Sequence, residues 1–350
     1  MADPMTAWST MLAVVKEHYG PGFALRHVPV PEPPPGWVRI RVRAVGICGS
    51  DLPIFEGIRP VPLPLIPGHE TVGEVEALGE GVEGWSVGER VAVDMVVACG
   101  RCRFCRMGRP TLCERLIELG IHTHGGFAEY MIAPASNLHR LPDTLSFEEG
   151  TAADPLASVY HGLRMLGPLD GATVAVFGAG AIGLYAIQMA RHLGAWRILV
   201  VGRRETPLQH ARALGADETI STQEEDPVEA IRARTEGKGA TVVIEATGAP
   251  EVFPKAIEAA APGARVLILG VFHEPTRFDA GLLVRKELQL WGSLCYTWDE
   301  YDYSLRLLAE GRIRPLVSHV FPLTEMESAL ALLRRREALK VVIRPVSESF

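Results

Sequence analysis

The stretch Val174-Ala-Val-Phe-Gly-Ala-Gly-Ala-Ile-Gly183 decides the fold of this chain. Four apolar, β-prone residues precede the pattern Gly178-x-Gly180-x-x-Gly183, and a periodic apolar segment follows it. This order predicts a strand, a tight turn and a helix. The first glycine permits the bend, the second lets a pyrophosphate approach the backbone, and the third lets helix and strand pack closely. Free amide groups at the helix start, which includes Ala181 and Ile182, would hold the phosphates of a dinucleotide.

The segments after this turn continue the alternation of strands and helices. Apolar runs at 196–201, 242–248, 265–270 and 288–293 predict buried parallel strands that end near the cofactor. We therefore predict an α/β domain with a doubly wound parallel sheet.

The end of the second predicted strand indicates which dinucleotide binds. An acidic side chain about 20 residues after the glycines would accept hydrogen bonds from the adenosine 2′-hydroxyl of NAD. This chain has Gly202-Arg203-Arg204 there instead. No carboxylate repels a 2′-phosphate, and two guanidinium groups are suited to bind it. We predict NADP(H), with a solvated basic turn as the alternative.

Length and composition set the frame for these motifs. With 350 residues, two domains are expected, and 47% hydrophobic with 22% charged residues is typical of a soluble globular protein. A net charge of −7 without a basic run argues against nucleic acid or a membrane surface as partner. The first ten residues lack a basic segment followed by an apolar one, so we predict no signal peptide and a cytoplasmic protein.

The first half of the chain has a different pattern. Residues 37–45 alternate apolar side chains with arginine, and two further strand patterns follow at 71–78 and 90–93. Glycine- and proline-rich turns separate them. Short strands with such turns predict a small barrel-like β domain.

Cys48, His69 and Glu70 lie on loops where these strands begin or end. Taken singly, Cys48 is expected to be a small buried hydrophobe and His69 a core histidine. Beside a dinucleotide site, the thiolate and the imidazole together favour zinc with one open coordination position.

Four further cysteines crowd into Cys99-x-x-Cys102-x-x-Cys105-x7-Cys113. Four thiolates in a loop can enclose one ion tetrahedrally and leave no open position, which predicts a structural zinc site. An iron–sulfur cluster is the competing interpretation. A disulfide scaffold does not fit a long chain with clustered cysteines.

These motifs resemble the zinc-dependent medium-chain dehydrogenase/reductases, in particular the sorbitol (polyol) and threonine dehydrogenase branch. The stretches that carry the resemblance are Gly46–Asp51, Pro67–Glu70, the four-cysteine lobe at about 95–115, Gly125–Tyr130 and Val174–Gly183. The resemblance implies a Rossmann-type sheet inserted in a GroES-like β-barrel catalytic domain. The expected limits are 1–157 for the catalytic domain, 158–296 for the NADP-binding domain and 297–350 for the return to the catalytic domain. It also implies a homo-oligomer, either a dimer or a tetramer.

The resemblance implies roles for individual residues at the catalytic site. Cys48 and His69 would be zinc ligands, and Asp154 stands where the branch usually has a glutamate as third ligand. Because Asp154 is one methylene shorter, Glu70 or a water is expected to take part of its role.

Around these ligands, Asp51 would steady the histidine ring and Ser50 would pass the substrate proton. The position two residues after Asp51 is commonly a histidine that completes the proton relay, but here it is Pro53. His122 and His124, in a glycine-rich loop, receive no role.

On the cofactor side, the resemblance places Thr247, Gly248 and Val271 beside the nicotinamide half and Lys340 at the cofactor phosphates. A lysine that only begins a strand is the alternative for Lys340.

The expected reaction is the interconversion of a secondary alcohol and its ketone, with zinc as Lewis acid and hydride transfer to the nicotinamide. A polyol, sugar, aminocyclitol or amino-acid alcohol would be the substrate. The alternatives are a threonine-dehydrogenase-like enzyme that uses NAD, a zinc-free quinone or enoyl reductase, and a non-enzymatic protein that only holds the nucleotide.

Overall fold

The computed structural model describes residues 9–345, so most of the segment used to predict the lack of a signal peptide lies outside the described residues. Within 9–345, no helix has both the length and the apolar character needed to cross a bilayer. The described chain forms two compact units. The first contains the residues up to Asp154, Thr297–Ala309 and the residues from Pro315 onward, and the second contains Pro155–Tyr296 and Glu310–Arg314.

The strands are β1 (Thr10–Val15), β2 (Ala24–Pro29), β3 (Trp37–Gly46), β4 (Glu70–Leu78), β5 (Arg90–Val93), β6 (Val96–Val97), β7 (Ile117–Glu118), β8 (Tyr130–Pro134), β9 (Leu138–Arg140), β10 (Thr173–Phe177), β11 (Arg197–Gly202), β12 (Glu218–Ser221), β13 (Ala240–Glu245), β14 (Ala260–Ile268), β15 (Gln289–Gly292), β16 (Val317–Pro322) and β17 (Lys340–Arg344). The α-helices are α1 (Asp51–Glu56), α2 (Arg103–Arg106), α3 (Phe147–Gly150), α4 (Ala153–Leu166), α5 (Ala181–His192), α6 (Glu205–Ala213), α7 (Pro227–Arg234), α8 (Val252–Ala259), α9 (Gly281–Arg285), α10 (Trp298–Ala309) and α11 (Met326–Arg334). Short 3-10 helices span Pro110–Leu112, Ala135–Asn137 and Leu323–Glu325.

The first unit is built on a sheet with the strand order β16-β17-β3-β4-β5-β9, and β8 also pairs with β3. Strand β3 is antiparallel to β4, β8 and β17. Its Val38, Ile40 and Val42 are fully buried, while Arg41 between them is exposed. The alternation predicted for this strand is therefore present, and the unit has the expected GroES-like β architecture.

The second unit contains a parallel sheet with the strand order β12-β11-β10-β13-β14-β15. Counted along the chain, this is the order 3-2-1-4-5-6 of a dinucleotide-binding doubly wound sheet. The central strand β10 pairs with β11 and β13, and it is buried from Val174 to Phe177. Phe177, Ile231 and Ile257 belong to one buried apolar cluster, to which α7 and α8 contribute.

Two details of this unit differ from the prediction. Residues 310–314 lie in it rather than with the C-terminal return, because Gln188 and Arg314 exchange two hydrogen bonds of 2.8 and 3.2 Å. Strand β15 is parallel, as expected, but it is not buried: it is the edge of the sheet, and Trp291 remains 39% exposed. The apolar residues of β15 are therefore not explained by other elements of this unit packing on both faces of the strand.

Candidate active site

Cys48, His69 and Glu70 come together in the first unit. Cys48 follows β3, His69 precedes β4, and in the antiparallel pair Gly46 lies opposite Glu70. One ligand atom from each of the three residues lies within 4.8 Å of the others. His69 and Glu70 are 4% and 1% exposed. The pairing of two strands thus assembles a buried imidazole and a buried carboxylate beside a half-buried thiol.

The electrostatics of this cluster favour a cation. Burial opposes the protonated form of His69, yet the carboxylate of Asp51 and the sulfur of Cys48 outweigh burial and raise the pKa of His69 well above its usual value. Asp154 adds to this effect. A group of buried anions that stabilises positive charge on an imidazole also suits a divalent metal ion bound to that imidazole.

Asp51 faces the imidazole from behind. Its Oδ2 accepts a hydrogen bond of 2.9 Å from the Cys48 amide, and its Oδ1 lies 3.8 Å from Nδ1 of His69. Burial raises the pKa of Asp51, although the charge of His69 opposes the shift. Among the described residues, neither Asp51 Oδ1 nor His69 Nδ1 has a hydrogen-bond partner. Two buried orphan atoms that face each other fit a carboxylate that orients a metal-bound histidine.

Lys340 lies in this cluster as well. Its ammonium group is buried, pairs with the Glu70 carboxylate and donates a hydrogen bond of 3.1 Å to the Ile47 carbonyl. Burial lowers the pKa of Lys340, but Glu70 and then Cys48 more than compensate, so the pKa is raised. Its assignment to the cofactor phosphates stays a prediction, and the ion pair is a role that the sequence did not reveal.

Asp154 is the second residue of α4 and is 5% exposed. It is not one of the three residues whose ligand atoms converge, but its charge acts on both His69 and Lys340.

Asp94 is a buried carboxyl that sequence reasoning missed. It accepts a hydrogen bond of 2.7 Å from the Val96 amide, and burial raises its pKa to about 8. The sequence signal that could have revealed Asp94 is its place as the one acidic residue in the otherwise apolar run 91–97.

Ser50 precedes α1, and its side chain does not cap that helix. Pro53 lies buried within α1 and carries no proton that could continue a relay. The two loop histidines have structural contacts: Nδ1 of His122 accepts from the Glu118 amide at 3.0 Å, and Nδ1 of His124 accepts from the Ile66 amide at 3.1 Å. These contacts agree with leaving both histidines without a catalytic role.

The sulfur atoms of Cys99, Cys102, Cys105 and Cys113 all lie within 4.8 Å of one another. The separations of the hydrogen-bonded sulfur pairs are between 3.5 and 4.0 Å. A tetrahedron with metal–sulfur bonds of about 2.3 Å has edges of about 3.8 Å. The four thiols therefore fit a single ion. In an iron–sulfur cluster the four thiolates are divided among two or more irons, so at least some of the sulfur atoms would lie farther apart.

Backbone amides of this lobe stabilise thiolates. Those of Arg101 and Cys102 lower the pKa of Cys99 to about 6, and that of Cys105 lowers the pKa of Cys102. Desolvation, together with the neighbouring sulfur atoms, raises the pKa of Cys105 to about 12. Without a cation the four thiols cannot all ionise at neutral pH, so a bound metal ion would supply the missing positive charge.

In the second unit, the three glycines of the turn have the geometry that a dinucleotide requires. Gly178 has a φ of +106°, in the region that favours glycine. A Cβ on Gly183 would lie 1.9 Å from the Gly178 carbonyl, so only glycine allows this packing. A Cβ on Gly180 would meet nothing within 4 Å, which leaves space for a ligand. No side chain caps the start of α5, where Ala181 and Ile182 follow.

Arg203 and Arg204 directly follow the residue that ends β11, and both are exposed. The first carboxylate after them is that of Glu205, which pairs with Arg212 at 2.7 Å. This contact lowers the pKa of Glu205. The acid nearest in sequence to the two arginines thus already has a cationic partner.

Thr247, Gly248 and Val271 belong to two loops that touch at the carboxyl ends of β13 and β14. A Cβ on Gly248 would lie 2.4 Å from the Val271 carbonyl. Val271 is 63% exposed. The structure therefore brings together the residues expected at the nicotinamide half. Sequence reasoning did not single out Glu245, whose carboxylate binds the first of these loops.

His139 in the first unit is 1% exposed and lies between two aromatic rings, those of Trp298 at 4.4 Å and Tyr301 at 4.6 Å. Neither ring nitrogen has a hydrogen-bond partner among the described residues, and Oδ1 of Asp302 lies 3.8 Å from its Nδ1. Burial lowers the pKa of His139 from 6.5 to about 4.

This shift predicts a pH-dependent stability. In the unfolded chain His139 is protonated below about pH 6.5, whereas in the folded chain it stays neutral down to about pH 4. The free energy of unfolding therefore falls as the pH is lowered from about 6.5 to about 4. When the pH is lowered from 7.5 to 5, the free energy of unfolding should fall by about 2 kcal/mol less in His139→Phe than in the native chain. Urea titration at the two pH values measures this difference. The exposed His27→Phe is the control and should change nothing. Equal pH dependence of His139→Phe and the native chain would contradict the prediction.

Fold and sites together place the chain among the dehydrogenases that bind zinc and carry their nucleotide on a parallel sheet. Residues 34–143 match the family model described as alcohol dehydrogenase GroES-like domain, and residues 181–310 match the one described as zinc-binding dehydrogenase. The chain belongs to the zinc-dependent medium-chain alcohol dehydrogenase family, and it is an oxidoreductase.

Individual relatives agree with this assignment. An L-threonine 3-dehydrogenase of Pyrococcus horikoshii is 35% identical over 95% of this chain and 98% of the relative. A sorbitol dehydrogenase of Halalkalibacterium halodurans is 34% identical over 96% of this chain and the full length of the relative. Among solved structures, a zinc-binding dehydrogenase from Sinorhizobium meliloti 1021 bound to NADP is 34% identical, with a TM-score of 0.91 over 96% of this chain and 100% of that chain.

Proposed function

We propose that this enzyme interconverts a secondary alcohol and its ketone, with NADP(H) as cofactor and a zinc ion at the Cys48–His69 site. The observation that carries the proposal is the convergence of three ligand atoms within 4.8 Å, on the buried His69 and Glu70 and the half-buried Cys48. When bound, zinc supplies a Lewis acid for the substrate oxygen, and NADP(H) supplies or accepts the hydride.

The residues of the chain have distinct tasks in this proposal. Cys48 and His69 hold the metal ion, and Asp51 orients His69 through Nδ1. The hydroxyl of Ser50, which is not used as a helix cap, would accept the substrate proton while it releases its own. Pro53 has no group that could accept a proton, so the proton must reach solvent through another group.

The third ligand is a carboxylate, and two residues compete for this position. Glu70 is within ligand distance of Cys48 and His69, but its charge is already balanced by Lys340. Asp154 is the residue that family resemblance puts there, and its charge is felt by His69. We infer that Glu70 and Asp154 share this role. The zinc content of the Glu70→Gln variant, compared with that of the Asp154→Asn variant, separates their contributions.

The four-cysteine lobe is proposed to hold a second zinc ion in a structural role. Its support is the sulfur spacing, which suits one tetrahedrally bound ion, and the amide groups that favour thiolates. The metal content expected from both sites is two zinc ions per chain.

The preference for NADP(H) over NAD(H) is supported by Arg203 and Arg204 after β11 and by the occupied carboxylate of Glu205. The relative from Sinorhizobium meliloti was solved with NADP, which agrees with this preference.

Replacing both arginines tests the preference. Arg203→Ala with Arg204→Ala should raise KM for NADPH about 30-fold or more and leave KM for NADH nearly unchanged, because charge-assisted hydrogen bonds to the 2′-phosphate contribute about 1.5–3 kcal/mol. Steady-state absorbance at varied cofactor concentration measures both values. Arg232→Ala, which removes a half-buried arginine paired with Glu229, is the matched control. A parallel loss for NADH would contradict the assignment.

The substrate is proposed to be a polyol, sugar, aminocyclitol or amino-acid alcohol. The second candidate is threonine oxidation with NAD, which the similarity to L-threonine 3-dehydrogenases and the Asp154-Pro155 pair both favour. Assays with L-threonine and with sorbitol, each with NAD and NADP, decide between the two. Turnover of L-threonine with NAD alone would support the second candidate.

We further propose that the enzyme is a homo-oligomer and that β15 lies in a contact between copies. An edge strand offers unpaired backbone groups to another chain, and Trp291, Val284 and Leu294 leave apolar surface exposed near it. Whether the assembly is a dimer or a tetramer is decided by its mass in solution.

A charge at the edge should dissociate this contact. Trp291→Lys together with Val284→Lys is expected to halve the mass measured by sedimentation, because unpaired like charges are costly in a buried contact. Val87→Lys places a charge on another exposed apolar residue and should leave the mass unchanged. An unchanged assembly in the double variant would exclude β15 from the contact.

A further inference from the structure

We propose that Glu245 is a positioning residue whose charge sets the relative affinity of the enzyme for the oxidised and reduced forms of its cofactor. The inference rests on the proposed function, because it requires the nicotinamide beside Thr247, Gly248 and Val271. It adds a determinant to that site which no motif of the sequence indicated.

Glu245 is the last residue of β13, and its side chain is fully buried. One carboxylate oxygen accepts a hydrogen bond of 2.8 Å from the Thr247 amide and another from the Thr247 hydroxyl. The other oxygen accepts one of 3.1 Å from the Gly248 amide. The carboxylate therefore fixes the backbone of the loop that follows its own strand.

The same residue also fixes the second loop. Its backbone carbonyl accepts hydrogen bonds from the amides of Leu269 and Gly270, at 2.8 and 3.0 Å. Gly270 passes so close that a Cβ there would lie 2.4 Å from the Glu245 carboxylate and 2.1 Å from the Gly248 amide. Glu245 thus joins the two loops that carry Thr247 and Val271.

Within residues 9–345, the hydrogen-bond donors to this carboxylate are all neutral. No described lysine, arginine or histidine forms an ion pair with Glu245, in contrast to Glu70, which is balanced by Lys340. A negative charge without a cationic partner is therefore fixed at the carboxyl edge of the sheet. Such a charge acts strongly over short distances in a buried place.

The two cofactor forms differ in the charge at this place. The nicotinamide ring is positively charged when oxidised and neutral when reduced. A fixed carboxylate below the loops that border the ring therefore stabilises bound NADP⁺ relative to bound NADPH. The hydrogen bonds orient the loops for both forms, whereas the charge distinguishes between them.

The test is the ratio of the dissociation constants of NADPH and NADP⁺, measured by calorimetric titration of the zinc-loaded enzyme. Glu245→Gln is expected to lower this ratio on the order of tenfold, so that NADPH binding gains relative to NADP⁺ binding. A change of this size is expected when one charge acts through a partly polar protein interior. Glu245→Asp keeps the negative charge on a side chain that is one methylene shorter. It should therefore weaken the binding of both cofactor forms and leave the ratio within about twofold of the native value. Glu236→Gln removes an exposed charge at another place in the unit and should change neither value.

A purely structural role would weaken both cofactors equally in Glu245→Gln, and an unchanged ratio would overturn the proposal. Should Glu245→Gln not fold, Thr247→Val is the second variant. It removes one neutral donor from the carboxylate, so it should shift the ratio toward NADP⁺, and no shift or the opposite shift would overturn the proposal. If the native enzyme binds neither nucleotide, the proposed function fails; if it binds both and only the ratio test fails, this inference alone is wrong.

Discussion

Cys48→Ser is expected to lower kcat/KM by at least about 10³-fold and to reduce the zinc content from two ions per chain to one. The serine hydroxyl is not ionised at neutral pH and is a poor zinc ligand, so the open coordination position that binds the substrate oxygen would be lost. Elemental analysis of the purified protein and the change in NADPH absorbance with an accepted ketone measure the two effects.

The matched control for this variant is Cys295→Ser, because Cys295 belongs to neither cluster of converging ligands. It should retain two zinc ions and native turnover. Cys48→Ser protein with two zinc ions and native turnover would show that the catalytic ion is held elsewhere.

Cys102→Ser is expected to have the second large effect, of a different kind. It opens the four-sulfur shell, so the lobe loses its metal ion and the binding energy that helps to fold it. The midpoint of thermal unfolding should fall by roughly 10 °C or more, while the remaining zinc ion and turnover in the cold persist. Calorimetry and elemental analysis check both statements.

Met107→Ser serves as the control in the same lobe, since Met107 is 67% exposed and binds no metal ion. It should leave the unfolding midpoint and both zinc ions unchanged. An unchanged midpoint in Cys102→Ser, with one zinc ion lost, would show that the lobe does not depend on its metal ion.

The parts of the fold that sequence reasoning predicted well depend on residues close together in the chain. The turn from Gly178 to Gly183 is an example, because strand, turn and helix occupy one continuous stretch and the glycine geometry follows from it. The four-cysteine lobe is local for the same reason.

The parts that were missed depend on pairings between distant segments. Lys340 meets Glu70 only because β17 pairs with β3 and β3 pairs with β4, and no local pattern contains that information. The exposed position of β15 was missed because an apolar strand has the same composition whether it is covered by its own domain or by another chain. Glu245 was missed because its partners are mostly backbone amides, which exist at every position of a sequence.

The proposed reaction requires one metal ion held jointly by Cys48 and His69. Anomalous diffraction from a crystal of the enzyme, recorded on both sides of the zinc absorption edge, tests it most directly. We predict one anomalous peak within bonding distance of the Cys48 sulfur and a His69 ring nitrogen, and a second peak among the four cysteine sulfurs. A map with the second peak alone, in a crystal of active enzyme, would contradict the account.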